Sequence, residues 1–155
     1  MPSSPLHQAL ALVVATGIML ATSLVAIAQV QSRVEIWKSP YCGCCTKWVD
    51  KMKAAGFEVR IHNTDNLSAI KRLHAVPEKL RSCHTAKVGG YVVEGHVPIA
   101  DVLRLLSERP KVIGISVPGM PIGSPGMEVP SGEKEPYDVL TFNAQGTTRV
   151  FAKHE

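Results

Sequence analysis

Val34-Glu35-Ile36-Trp37-Lys38-Ser39-Pro40-Tyr41-Cys42-Gly43-Cys44-Cys45-Thr46-Lys47-Trp48-Val49-Asp50-Lys51-Met52 is the stretch in which the chain exchanges one hydrophobic period for another. Val34 to Trp37 alternates with period two, as a half-buried strand does, and Ser39-Pro40 stops it. Cys45, Trp48, Val49 and Met52 then fall at i, i+3, i+4 and i+7. That spacing is one face of a helix over residues 44–55, which Gly56 is placed to end. Three cysteines therefore stand at a strand-to-helix junction, with Cys45 turned inward and Cys42 and Cys44 more accessible.

Downstream the alternation of periods continues. Phe57–Ile61 reads as a second strand. Asp65 or Asn66 can cap a helix whose apolar positions are Leu67, Ile70 and Leu73, and Pro77 stops it. Cys83–Val88 and Tyr91–Glu94 flank Gly89-Gly90, the composition of a two-residue hairpin turn. A third helix starts at Pro98, buries Ile99, Val102, Leu103 and Leu106, and ends before Pro110. The order is strand, helix, strand, helix, hairpin, helix, which is the order of a thioredoxin-like α/β fold (βαβα-ββα). Residues 117–130 follow as a loop with four Pro and three Gly, in which Pro118-Gly119-Met120 recurs as Pro125-Gly126-Met127. Tyr137–Asn143 and Thr147–Ala152 around Gln145-Gly146 read as a C-terminal β-hairpin added to the sheet.

Upstream the pattern is different. Residues 1–32 carry no Lys, Arg, Asp or Glu, and the run from Ala9 to Ala28 is almost wholly apolar. Ending on Val25-Ala26-Ile27-Ala28, it reads as an export signal over residues 1–28, cut before Gln29. An apolar run of that length also reaches across a bilayer, so an uncleaved anchor is the second reading, and the only one that puts the chain on a membrane. Under either reading residues 29–155 form a single domain outside the cytoplasm.

The whole chain has 155 residues, a formal net charge of +4 and 45% hydrophobic residues. That hydrophobic share excludes a disordered or fibrous protein. Aromatic residues make up 5%, and the cations are scattered rather than gathered in a stripe, which argues against a nucleic-acid binder.

Chemistry concentrates on four cysteines. The Cys42-Gly43-Cys44-Cys45 turn faces the positive end of a helix dipole, which favours thiolates. Two structural disulfides fit this spacing poorly, because vicinal cysteines pair with difficulty and all three compete for Cys83. The antiparallel hairpin of the thioredoxin-like order returns Cys83 and His84, and then His96, to the edge that carries Cys42. Thiols and imidazoles from three distant segments meet there, a donor set for soft or borderline metals. His96 is open to two readings, ligand or helix cap. For His84, strand alternation leaves its direction open. Met120 and Met127 are either core filler or soft thioether donors that complete a Cu(I) site if the loop folds over the rim. His62, His74 and His154 read as surface or strand-end residues without a role.

Tyr41-Cys42-Gly43-Cys44-Cys45 with Trp48, Ser82-Cys83-His84-Thr85-Ala86, Glu94-Gly95-His96-Val97-Pro98, Val117-Pro118-Gly119-Met120-Pro121 and Gly123-Ser124-Pro125-Gly126-Met127-Glu128 form five ordered blocks. They span nearly all of residues 34–151. In these blocks the chain resembles a bacterial family of small exported metal-binding proteins, once known only as a domain of unknown function, that includes the copper-resistance protein CopG. The resemblance implies a thioredoxin-like fold, a periplasmic location, and copper binding by a cysteine-centred cluster in copper tolerance. Copper ions, and other periplasmic copper-handling proteins, are then the expected partners.

The residues agree with that implication. Cu(I) is soft and bridged readily by thiolates, so Cys42, Cys44, Cys45 and Cys83 can hold more than one ion, with His96, His84, Met120 and Met127 as further donors. Zinc fits less well, since structural zinc sites draw ligand pairs from separated segments. A rival reading makes the chain a thiol–disulfide oxidoreductase with Cys42 attacking and Cys45 resolving. A hybrid, in which bound copper cycles between Cu(I) and Cu(II) as an oxidoreductase centre, also stands open.

Overall fold

The computed structural model describes residues 33–155, so the expected export segment at residues 1–28 lies outside the described residues. Among the described residues, seven strands form one sheet and three α-helices pack on it. The elements are β1 (Arg33–Lys38), α1 (Gly43–Ala54), β2 (Glu58–Asn63), α2 (Leu67–Leu73), a 3-10 turn (Glu78–Leu80), β3 (His84–Val88), β4 (Tyr91–Glu94), α3 (Ile99–Glu108), β5 (Gly114–Ser116), β6 (Tyr137–Phe142) and β7 (Thr148–His154). None of these helices is long and apolar enough to cross a membrane.

Strand order is β2-β1-β3-β4-β5-β6-β7. β1 runs parallel to β2 and antiparallel to β3, with Lys38 opposite His84. β3 and β4 form the hairpin around Gly89-Gly90, closing on the pair Val88 and Tyr91. The C-terminal hairpin β6–β7 joins the same sheet through β5, which lies parallel to β4 and antiparallel to β6. β5 was not foreseen: three residues, Gly114-Ile115-Ser116, are too few to show a period.

Alternation along the strands sends side chains to two faces. Val34, Ile36, Ala86, Val88 and Val93 pack with Trp48, Val49 and Met52 of α1 and Val102 and Leu105 of α3 in the main core. On the opposite face α2 delivers Lys71, whose Nζ lies against Thr85 and Glu94, while Val76, Leu80, Val92 and Phe142 form a second apolar cluster. The helix caps follow local chemistry. Asn66 Oδ1 accepts from Ala69 N at 3.1 Å. α1 closes with Phe57 N donating to Met52 O and Gly56 N to Lys53 O, a Schellman ending.

Two core assignments change. Leu73 is 75% exposed and the buried residue of α2 is Lys71, because the ion pair with Glu94, not an apolar stripe, fixes the helix's rotation. In α3 the buried residues are Asp101, Val102 and Leu105, while Leu103 is 49% exposed. There Asp101 meets His154 of β7, while Val102 is buried as expected and Ile99 and Leu106 pack against the main core.

Candidate metal centre

The mouth of the molecule is assembled by strand direction. β1 ends just before Cys42, β3 begins just after Cys83, and β4 ends just before His96, so the antiparallel pairings bring all three ends to one edge. The four sulfur atoms of Cys42, Cys44, Cys45 and Cys83 lie within 4.8 Å of one another. One donor atom each from Cys83, His84 and His96 meets the same condition.

Cys42 is the N-cap of α1, and its Sγ accepts from Cys45 N at 3.3 Å. A cap and the third helical residue stand on one side of the first turn, so their side chains meet, and here they form a disulfide with a Cα–Cα separation of 5.3 Å. The reduced cluster expected from the sequence is thus closed at one of its pairs. Cys44 and Cys83 are free, and Cys44 Sγ sits 3.4 Å from Cys42 Sγ. Cys45 is fully buried and Cys42 and Cys44 are half-buried, the order that the helical face requires.

The imidazoles are more buried than their sequence context shows. His84 is fully buried, 4.6 Å from the Trp48 ring and 5.1 Å from His96 by ring centroids. Its Nδ1 lies 3.4 Å from Cys83 Sγ, and its Nε2 is buried without a hydrogen-bond partner. His96 is fully buried as well and caps no helix; Pro98 holds that position. His96 Nδ1 donates to Pro125 O at 2.8 Å, which leaves Nε2 as the lone-pair nitrogen, 2.9 Å from Cys83 Sγ. A backbone carbonyl fixing the tautomer of a histidine in this way is the usual support of a metal ligand.

Burial sets the protonation states. It pushes the Cys83 thiol up to about 12, with the neighbouring Cys44 adding to the shift. Burial likewise drives His84 well below the ordinary value of 6.5, aided by His96, Lys71 and Lys38, and lowers His96. Both rings are therefore neutral near pH 7, the form that binds metals, while Cys83 must lose its proton to a cation.

The Pro/Gly/Met loop covers this mouth from two sides. Ser82 Oγ donates to Gly119 O and Gly119 N to Arg81 O, which ties the first Pro-Gly-Met turn to the Cys83 segment. The second turn reaches His96 through Pro125 O, and Gly126 packs so closely that a Cβ there would stand 2.7 Å from Cys44 O. With φ at +92° as well, that position admits only glycine without strain. Glu128 latches the turn, accepting from Gly126 N at 3.0 Å and pairing with Lys51 at 2.8 Å. Met120 is 51% exposed and Met127 half-buried.

Sequence reasoning gave no role to Glu94. Its carboxylate is fully buried and accepts from Ser82 N at 2.7 Å and Thr85 Oγ1 at 2.7 Å, bracketing Cys83 and His84, while Lys71 Nζ pairs with it at 2.5 Å. Burial pushes the carboxyl up against the pull of Lys71. The signal available was a Glu at the end of an apolar strand, Tyr91-Val92-Val93-Glu94, two residues before a candidate ligand. The Trp48 indole N–H, which donates to Val97 O at 2.8 Å, likewise holds the backbone beside His96.

Taken together, fold and site define a small mixed α/β protein with a sulfur- and imidazole-lined centre able to hold a metal ion. A family profile described as "Protein of unknown function, DUF411" matches residues 80–127, which include Cys83, His84, His96 and both Pro-Gly-Met turns. Two solved structures of copper resistance protein CopG, forms 2 and 1, are each 40% identical to the chain. Form 2 has a TM-score of 0.75 and covers 80% of this chain and 98% of its own; form 1 has a TM-score of 0.74, with 79% and 96%. A search of curated proteins gave no match. The chain belongs to the DUF411 family, alongside copper resistance protein CopG.

Proposed function

We propose that this protein binds Cu(I) at the cysteine-centred mouth as part of copper tolerance, in the periplasm, on a thioredoxin-like domain of residues 29–155. One observation carries the reading: four sulfurs within 4.8 Å of one another at one edge of the sheet. In their reduced state they form a set of soft, bridging donors that selects Cu(I) and has room for more than one ion. His96 and His84 are the next donors, and Met120 and Met127 sit in the loop that folds over the mouth. Support for the thioredoxin-like assignment comes from the β2-β1-β3-β4 order with β3 antiparallel to β1. Support for export comes from the apolar, uncharged run at residues 9–28, with a cleaved signal preferred over an anchor.

Copper titration of the dithiol-reduced protein tests the reading. Tight, thiol-dependent binding that Cys42→Ser weakens is expected; absence of such binding removes the proposal.

The Cys42–Cys45 disulfide favours a second reading, thiol–disulfide exchange with Cys42 as attacking thiolate, which redox cycling of bound copper would extend. Fast insulin reduction by metal-free protein would establish it, and the free thiol of Cys44 beside the pair argues for slow turnover.

A further inference from the structure

Two donor sets at the mouth share one sulfur. The first is Cys42, Cys44, Cys45 and Cys83; the second is Cys83, His84 and His96. Closing the Cys42–Cys45 bond removes two sulfurs from the first set and touches no member of the second. The second set is in place in that closed form, with His96 Nε2 at 2.9 Å and His84 Nδ1 at 3.4 Å from Cys83 Sγ. Donors bound at about 2.0–2.3 Å around a tetrahedral cation stand roughly 3.3–3.7 Å apart, and the two sulfur–nitrogen distances lie within about 0.6 Å of that range. Pro125 O already orients His96, whose Nε2 is left free toward Cys83.

The two sets differ in chemistry. One thiolate and two imidazoles suit a borderline divalent cation; three or four thiolates suit Cu(I). Cys44, the other free thiol, lies within 4.8 Å of Cys83 and belongs to the first set alone.

We propose that the disulfide form of the protein binds a divalent borderline cation of the Zn2+ type at Cys83, His84 and His96, and that reduction of Cys42–Cys45 converts the mouth into the sulfur-rich Cu(I) site. The second half rests on the copper reading given above; the first half stands on the closed form alone. In the conversion the disulfide takes two electrons and two protons from an external dithiol, which leaves as its own disulfide, and Cys42 and Cys45 emerge as thiols. These thiols, together with Cys83, give up protons as metal binds. The disulfide thus selects the cation as well as the redox state.

The deciding titrations use the full, unmutated chain, so they do not depend on the folding of a variant. Unreduced protein, with two free thiols verified by counting, is titrated with Zn2+ and with Co2+, and Cys83 alkylation is followed by mass spectrometry. About one Zn2+ per chain is expected, slowing Cys83 alkylation about tenfold or more, since a metal-bound thiolate is no longer a free nucleophile. Co2+ should show a sulfur charge-transfer band that grows on reduction as thiolates are added. His96→Gln should weaken Zn2+ binding in the unreduced form by more than about tenfold. If unreduced protein binds no Zn2+, or binds it without shielding Cys83, the proposal is overturned, whereas tight Cu(I) binding by the reduced protein would still uphold the copper reading. Zn2+ bound and Cys83 shielded in both forms, with Cu(I) bound by neither, overturns the conversion and the copper reading together.

Discussion

His84 and His96 differ from His62 and His154 in what faces their ring nitrogens. His62 Nε2 meets the Glu35 carboxylate and stacks on Trp37; His154 Nε2 meets Asp101 Oδ2 at 2.7 Å and stacks on Tyr137. Lys71, buried on the other face of the sheet, likewise has its carboxylate in Glu94. At the mouth the partners of His84 and His96 are a thiol, a backbone carbonyl and each other's rings. His62 and His154 thus each have a carboxylate at a ring nitrogen, whereas His74 packs on Trp37 without one. At the mouth the protein gathers neutral donors, an arrangement completed by a cation and not by a side chain.

The largest effects should fall on the mouth. Cys83→Ser should lower metal affinity by more than about 100-fold, beyond what loss of a supporting partner costs, while His62→Gln leaves it unchanged; isothermal titration reads both. Equal losses in the two variants would break the distinction between the mouth and the carboxylate-paired histidines.

Next comes the charged pair on the opposite face. Glu94→Ala leaves Lys71 buried without a counter-charge and should destabilise the protein by about 3–5 kcal/mol in urea denaturation. Removing both charges as Lys71→Met with Glu94→Leu should recover much of that loss. It should not recover metal affinity, because Ser82 N and Thr85 Oγ1 then lose the acceptor that brackets Cys83.

Acid should act through the neutral rings. His84 and His96 are held below their ordinary 6.5, so as pH falls through that value the unfolded chain takes up protons that the folded chain refuses. Stability is therefore whole above about pH 6.5 and declines below it, by about 1–2 kcal/mol per pH unit until the folded rings themselves titrate. Denaturation midpoints at pH 7 and pH 5 give the sign; greater stability at pH 5 would contradict the neutral-ring picture.

The smallest effect belongs to a carboxylate-paired histidine. His154→Gln should cost less than about 1 kcal/mol, since the pair with Asp101 is partly solvated, and should leave metal binding untouched.

Much of this was legible in the chain. The period change across residues 34–52, the Gly89-Gly90 turn and the C-terminal alternation located six of the seven strands. The expected thioredoxin-like order set β3 antiparallel to β1, and with it the meeting of Cys83 and His96 with the CGCC turn; the pairing of β1 with β3 agrees. What escaped notice depended on partners from elsewhere in the fold. β5 exists because β4 and β6 flank it, and Lys71 and Asp101 are buried against Glu94 and His154 where apolar spacing pointed to Leu73 and Leu103. Alternation alone could not choose His84's face; pairing with Lys38 sets it on the Trp48 side. Nor does spacing say that Cys42 and Cys45 are joined, since the same four residues offer several pairings.

Copper-edge anomalous diffraction from crystals of reduced, copper-loaded protein tests the central claim most directly. Peaks should lie within bonding distance of Cys83 Sγ and of sulfurs in the Cys42–Cys45 turn, with His96 Nε2 adjoining. Copper found only at surface sites such as His62 or His154, with the mouth vacant, would contradict it.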